Sequence, residues 1–233
     1  MTEYIAKSAH IGDGCVLGKN IVIEEDVTVG ANTVTGNNVV ILRGVRIGDH
    51  VSIGHNVVIH ENTIIGNEVS IADSSVIGRQ PKSAAISTRK VERTLPPLQI
   101  GERCTIGALV TLYAGTRIGA GAMVADMASI REMCVIKDYA IIGRGVLMEY
   151  ETVVGEYSKI QTGCHITGNM VIEDHVFFGA EVTTMNDKYM DRTGEPFAGP
   201  HIKSGARVGC NATLLPGVVI GKEAVIGAGA VVT

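Results

Sequence analysis

Residues 39–71 read VVILRGVRIGDHVSIGHNVVIHENTIIGNEVSI, and isoleucine returns in them at positions 41, 47, 53, 59, 65 and 71. A six-residue beat fits neither an amphipathic helix, which repeats near 3.6, nor a half-buried strand, which repeats at 2. It fits a coil of three short strands in which one side chain per strand points inward. The beat extends back to Ile5 and on to Ile77, resumes from Ile100 to Thr184, and resumes again from Ile202 to Val232. Of its 34 positions, 32 are Ile, Val, Leu, Met or Phe, and only Thr35 and Thr184 break the series. Gly follows the beat 17 times, and four places after the beat comes a small or β-branched residue such as Val27, Val51 or Ala224. On this reading Gly allows the turn at each corner and the small residue fills the space beside the beat residue. A coil of 18 residues cannot bury its apolar face alone, so stability comes from stacking coil on coil. At the usual strand spacing of about 4.8 Å, roughly eleven coils give a rod on the order of 50 Å long. The expectation is an all-β parallel β-helix, a single domain over residues 1–233, with loop excursions at 78–99 and 185–201.

Composition narrows the functional classes. A formal net charge of −4 and 4% aromatic residues leave little to attract or stack on nucleic acid. The sequence has neither a run of 18 apolar residues nor a signal peptide, so it predicts no membrane span and a cytoplasmic address. Cys15, Cys104, Cys134 and Cys164 fall in the slot for small inward side chains, and no CxxC pair is present. They read as core thiols, not disulfide or metal ligands.

Function is most often found where a regular scaffold extrudes a loop. The first excursion carries Arg79, Lys82, Arg89, Lys90 and Arg93 against a single Glu92. Such a loop can clamp phosphate groups by charge-assisted bonds. It can equally be a solvated loop that packs on the helix through Ile86, Val91, Leu95 and Leu98. The second excursion, MNDKYMDRTGEPFAGPH from Met185 to His201, is the stronger site candidate.

The repeat as a whole resembles the hexapeptide-repeat left-handed β-helix acyltransferases, and the left hand is implied by that resemblance, since parallel crossovers in general take the opposite hand. The segment from Val146 to Asp187 is similar to the acetyltransferases that modify 3-amino sugars on nucleoside diphosphates. Their loop carries Thr-Asn-Asp followed by an aromatic and a basic residue. Here Asn186 and Asp187 match, Met185 stands in place of Thr, and Tyr189 and Arg192 follow. The resemblance implies a homotrimer with its active site in the cleft between subunits, a nucleotide-linked amino sugar as acceptor and acetyl-CoA as co-substrate. It further implies that Glu149 contacts the sugar. The stretch from Ser204 to Thr233 also looks like the family, and there Asn211, Ala212, Gly227 and Ala228 are the implied coenzyme contacts. No membrane or nucleic-acid partner is implied.

The chemistry accounts for such residues. A thioester attacked by an uncharged amine needs the amine oriented, donors for the oxyanion and a destination for one proton. Asn186 suits orientation or donation. Asp187 suits attraction of the sugar ammonium, although a carboxylate with a pKa of about 4 is a poor base. Both residues also serve as turn formers in loops. Among seven histidines, His165 lies on an outward slot just before the second excursion and is the first candidate base, followed by His175 and His201. Where no protein base exists, the departing sulfur takes the proton.

Two other readings remain within the fold. One is O-acetylation of a sugar or small amino acid. The other is a zinc site, because Ile53–His60, IGHNVVIH, resembles the gamma-class carbonic anhydrases. Zinc catalysis requires three protein ligands and an open position, and no histidine lies between His10 and His50 for the third, so no metal is expected. A bare assembly scaffold would need no long excursions. The family continues beyond a segment like Ala230–Thr233 into a capping helix, so the expectation is either a truncated chain or a last coil covered another way.

Overall fold

The computed structural model describes residues 4–87, 89–91 and 94–233. Every strand is short, most of them two residues, and all pairings are parallel and join strands one coil apart, three strands on in sequence except at the first coil, where Tyr4–Ile5 pairs with Val22–Ile23 and His10–Ile11 with Thr28–Val29. The result is three sheets of twelve, eleven and ten strands, the faces of a three-sided β-solenoid. The first face runs from Tyr4–Ile5 to Val231–Val232, the second from His10–Ile11 to Val219–Ile220, and the third from Val34–Thr35 to Val225–Ile226. Register is kept at 18 residues per coil, as in Val22↔Val40 and Val40↔Val58. Among the described residues no helix is long and apolar enough to cross a membrane.

The beat residues form the core. Ile23, Ile41, Ile59, Ile77, Leu112 and Ile130 are fully buried along the first face alone. Thr35 and Thr184 point inward too. Thr184 Oγ1 accepts a 2.8 Å bond from the Thr167 amide and donates to the His165 carbonyl, while Thr35 Oγ1 accepts from Gly18. A polar beat residue is tolerated because its hydroxyl is bonded to the neighbouring coil. Cys104, Cys134 and Cys164 are buried free thiols, as their slot predicts. Burial pushes Cys134 up to about 12 and Cys164 to about 11, so neither is a nucleophile at neutral pH.

The glycine after the beat has a different purpose from the one its sequence suggests. A Cβ at Gly18 would lie 2.1 Å from the Gly36 carbonyl oxygen, and one at Gly12 would lie 2.7 Å from the Ala31 nitrogen. These glycines permit close approach of successive coils. The left-handed corner conformation falls two residues later, at Asn20, Asn38 and Asn56, with φ near 57°, 59° and 56°. Asn tolerates that region. The amide side chains also form a ladder, Asn20 to Asn38 at 2.9 Å and Asn38 to Asn56 at 3.0 Å.

When the glycines are sorted by corner, sixteen of the 17 lie between the second and third faces or between the third and first. The corner from the first face to the second has only Gly78. In other coils it carries larger residues such as Glu24, His60, Tyr113, Arg131 and Glu149. Both excursions leave from this same corner, after Val76–Arg79 and after Thr183–Thr184.

Gly78 itself has φ +87°, and a Cβ there would come within 2.2 Å of Thr63 Oγ1, a buried hydroxyl without a hydrogen-bond partner among the described residues. Gly78→Ala is therefore expected to cost about 1–3 kcal/mol, read as a lower urea midpoint. An unchanged midpoint would show that the loop departure relaxes freely.

The first excursion packs through Leu95 and Leu98, both buried, and Val91 is half-buried. Ile86 does not join them. It is 96% exposed because the chain turns outward at residues 85–86. Arg93 and Glu92 lie outside the described residues.

Candidate functional site at the loop corner

Consecutive coils bring Tyr113, Arg131 with Glu132, and Glu149 through Glu151 to the loop corner, at the end of a first-face strand or directly after one. Glu132 is the centre of the arrangement. Its side chain is 0% exposed, yet it is ionised. Burial alone would raise its pKa, but bonds from Arg131 and Arg89 hold it below the ordinary carboxylate value. Arg131 Nε lies 2.9 Å from one carboxylate oxygen, and the Arg89 guanidinium from the first excursion lies 2.6 Å from the other. Arg89 also reaches Glu151 at 3.2 Å and stacks 3.5 Å above the Tyr150 ring centroid. Arg131 completes the set with a 3.5 Å contact to Glu149. One arginine thus ties the first excursion across two coils of the rod.

The second excursion meets the same cluster. Asn186 Nδ2 donates 3.1 Å to the Gly168 carbonyl, and the Asn186 carbonyl accepts from Ala198 at 2.9 Å, which fixes the loop's two ends together. Burial raises the Tyr150 phenol above its usual value, with Asn186 and Arg89 pulling partly back. Tyr150 therefore stays a neutral donor at physiological pH. A primary amide has two N–H donors, so among the described residues Asn186 keeps one free beyond its bond to Gly168.

Asp187 has another occupation. Its two oxygens accept from the amides of Tyr189 at 2.9 Å and Asp191 at 2.6 Å, an Asx turn that holds its pKa below normal. Tyr189 joins Asn186 and Asp187 in lining a small cavity of about 120 Å³ closed by Pro196 and Pro216. Arg192 is exposed and does not line it.

His165 projects from the first face between Leu147 and Thr183, one coil before the second excursion, and its ring makes no hydrogen bond among the described residues. His175 lies on a different corner, stacked on Tyr157. His201 is bound to Glu173, Nε2 to Oε1 at 2.8 Å. Asn211, Gly227 and Ala228 are exposed on the corner where the third face meets the first, across the first face from the second excursion. Ala212 is different: its methyl is buried in the core, its amide donates to Gly209 and its carbonyl accepts from Thr183, so it offers nothing to a ligand. His55 accepts the Asn37 amide on one edge of the first face, whereas His60 stands beside Glu61 on the other. Among the described residues no three His, Cys, Asp or Glu side chains gather as metal ligands.

Glu173 accepts from the Ser204 hydroxyl at 2.8 Å and the Ser204 amide at 2.9 Å, and faces His201 and Lys203, which together pull its pKa down to about 2. A depressed carboxylate stabilises the fold above its unfolded pKa and loses that contribution as pH falls toward its folded one. Unfolding midpoints should therefore fall between the ordinary value of 4.5 and about 2, and Glu173→Gln should flatten that part of the profile. Equal profiles for both proteins would dismiss the linkage.

Sequence reasoning singled out Asn186 and Glu149 but missed Tyr150, Arg131, Glu132 and the reach of Arg89. The usable signal was the corner where glycine follows the beat only once, at Gly78.

Three segments of the chain match known families: residues 2–86 the GMPPB C-terminal domain, residues 97–125 the hexapeptide repeat of succinyl-transferase, and residues 199–233 the bacterial transferase hexapeptide of six repeats. With the solenoid, they define the chain as a hexapeptide-repeat β-helix. No curated protein matches it in sequence. Among solved structures, it is similar to the UDP-N-acetylglucosamine O-acyltransferase of Moraxella catarrhalis RH4, at 18% identity and TM-score 0.33, over 93% of this chain and 66% of that one. It is also similar to the Arabidopsis UDP-N-acetylglucosamine acyltransferase, at 16% identity and TM-score 0.44, over 98% and 67%. The acetyltransferase domain of PglB from Neisseria gonorrhoeae FA1090 matches at 14% identity and TM-score 0.25, over 63% and 48%. The chain thus spans about two thirds of the length of the first two. At such identities and TM-scores, the likeness adds nothing about activity to what the residues themselves say.

Proposed function

We propose that the protein is an acyltransferase that moves an acetyl group from acetyl-CoA to an amino group of a nucleotide-linked sugar, working as a homotrimer. The observation that carries this reading is the Asn186 amide, held by the Gly168 carbonyl at the corner where both excursions converge on a cluster of carboxylates and guanidiniums. The match of the second excursion to the amino-sugar acetyltransferase loop supports it. Glu149 and Glu151 attract the sugar ammonium, which loses a proton to solvent before it reacts. The free N–H of Asn186 donates to the oxyanion as the C–N bond forms, while its amide oxygen accepts an amine N–H and so orients the nucleophile with its lone pair free. The C–S bond then breaks, and the departing coenzyme sulfur takes the amine proton. Asp187 shapes the loop that presents Asn186. Asn211, Gly227 and Ala228 line the coenzyme path on the opposite edge of the first face.

The runner-up is O-acylation. A hydroxyl acceptor needs a base, and His165, with its ring unbonded among the described residues one coil away, is the residue to supply it. Thiol release from acetyl-CoA, measured with a panel of UDP- and dTDP-linked 3-amino and 4-amino sugars and hydroxyl-only controls, separates the two. Release with amino sugars alone is the expected result. Release with the hydroxyl controls alone would transfer the assignment to O-acylation, and silence across the panel would remove both.

A further inference from the structure

The corner between the second and third faces, which neither excursion leaves from, bears a ladder of rings. Tyr139, Tyr157 and His175 occupy the same place in three successive coils, with centroids 5.2 Å apart at each step and interplanar angles of 12° and 3°. Tyr139 and Tyr157 remain 46% and 48% exposed. On the adjoining third face, Lys159, Phe177 and Arg207 stand side by side in strand register, and Phe177 is 37% exposed. Together these residues line an open cleft of about 350 Å³. Beyond His175 the next rung is Gly205, over which the Glu223 carboxylate folds, so the cleft opens toward the third face.

The two cations differ from their neighbours. Lys137 and Lys203 on the same corner are paired with Asp174 and Glu173, but among the described residues Lys159 and Arg207 pair with no carboxylate. Arg207 is held in place by backbone instead. One of its terminal nitrogens donates to the carbonyls of His175, Gly205 and Ala206, which fixes the guanidinium, keeps its charge and leaves its other N–H groups free. Lys159 and Arg207 are two rungs apart, about 10 Å at the usual strand spacing, with a phenyl ring between them.

We propose that this cleft binds the nucleoside diphosphate end of a ligand, with the base against Phe177 and the ring edges of the ladder, and the phosphates between Lys159 and Arg207. Ring walls suit a planar base, and two uncompensated cations suit a diphosphate. The choice of a nucleoside diphosphate rests on the acyl-transfer reading, in which the nucleotide sugar and the coenzyme each carry one.

Calorimetric titration of the full chain at low salt with UDP, dTDP, adenosine 3′-phosphate 5′-diphosphate and unphosphorylated uridine tests it. At least one nucleotide is expected to bind and uridine is not; which nucleotide binds tells the sugar's nucleotide from the coenzyme's. Arg207→Gln should weaken binding roughly tenfold or more. Lys159→Gln, which removes no hydrogen bond among the described residues, should weaken binding without disturbing the fold. Equal affinity for wild type and both variants, or no nucleotide bound by wild type, overturns the proposal. Thiol release by wild type with no variant effect on binding would leave acyl transfer standing and remove the cleft. Variant-sensitive binding without thiol release on any acceptor would keep the cleft and remove acyl transfer.

Discussion

In Asn186→Ala, turnover is expected to fall by about 10²-fold while the fold is retained, the scale of removing one orienting or oxyanion group. The lost side chain donates to the Gly168 carbonyl at a half-buried corner, so the stability cost is confined to about 1 kcal/mol. The kinetic pattern carries more information than the size of the loss. A group that acts only in the transition state lowers kcat and leaves KM unchanged, whereas one that binds the ground state raises KM. Asn186→Asp keeps the size but removes the donors, and should be as impaired as the alanine variant. Near-normal turnover in either would discard Asn186 as the centre of the site.

Glu132→Ala is expected to have the largest effect on stability, a loss of about 3–5 kcal/mol. It removes the carboxylate that lies fully buried between two guanidiniums, and leaves Arg131 and Arg89 facing each other with only the more exposed Glu149 and Glu151 as partners. Because the same carboxylate anchors the first excursion, trypsin cleavage at Lys82, Arg89 or Lys90 should accelerate well before global unfolding. Replacing Arg89 with Ala should release the loop as well, but with a smaller loss of stability, since Arg131 still satisfies Glu132. The Glu132 pKa is depressed, so its contribution is present above the ordinary carboxylate pKa and fades as pH falls below it. Unchanged cleavage in Glu132→Ala would mean that the loop is held by Leu95 and Leu98 alone.

The solenoid could be read from the sequence because its rule is local: one inward apolar residue every six, enforced in each strand by the same packing. Thr35 and Thr184 broke the pattern in letters but not in geometry, since a bonded hydroxyl fits an inward slot. The corner glycines could be counted but were misjudged, because sequence does not distinguish a need for positive φ from a need for close backbone approach. The period that matters for the site is 18, not six. Sorted by that period, the glycines that follow the beat leave one corner with Gly78 alone, and that corner holds Glu149, Tyr150, Asn186 and both excursions. The ion-pair network was not readable, since Arg89 meets its partners 43 and 62 residues away, and Glu132 in the sequence resembles any solvated charge. Ile86 shows the opposite error, an apolar residue that the loop leaves in solvent.

The most direct test of acyl transfer at the loop corner is mass analysis of a nucleotide-linked amino sugar incubated with acetyl-CoA and wild-type protein or Asn186→Ala. The account predicts an acceptor heavier by one acetyl group with the wild type, stable to mild base as an amide is, and almost none with the variant. An unmodified acceptor with wild type, or equal acetylation by both proteins, would contradict it.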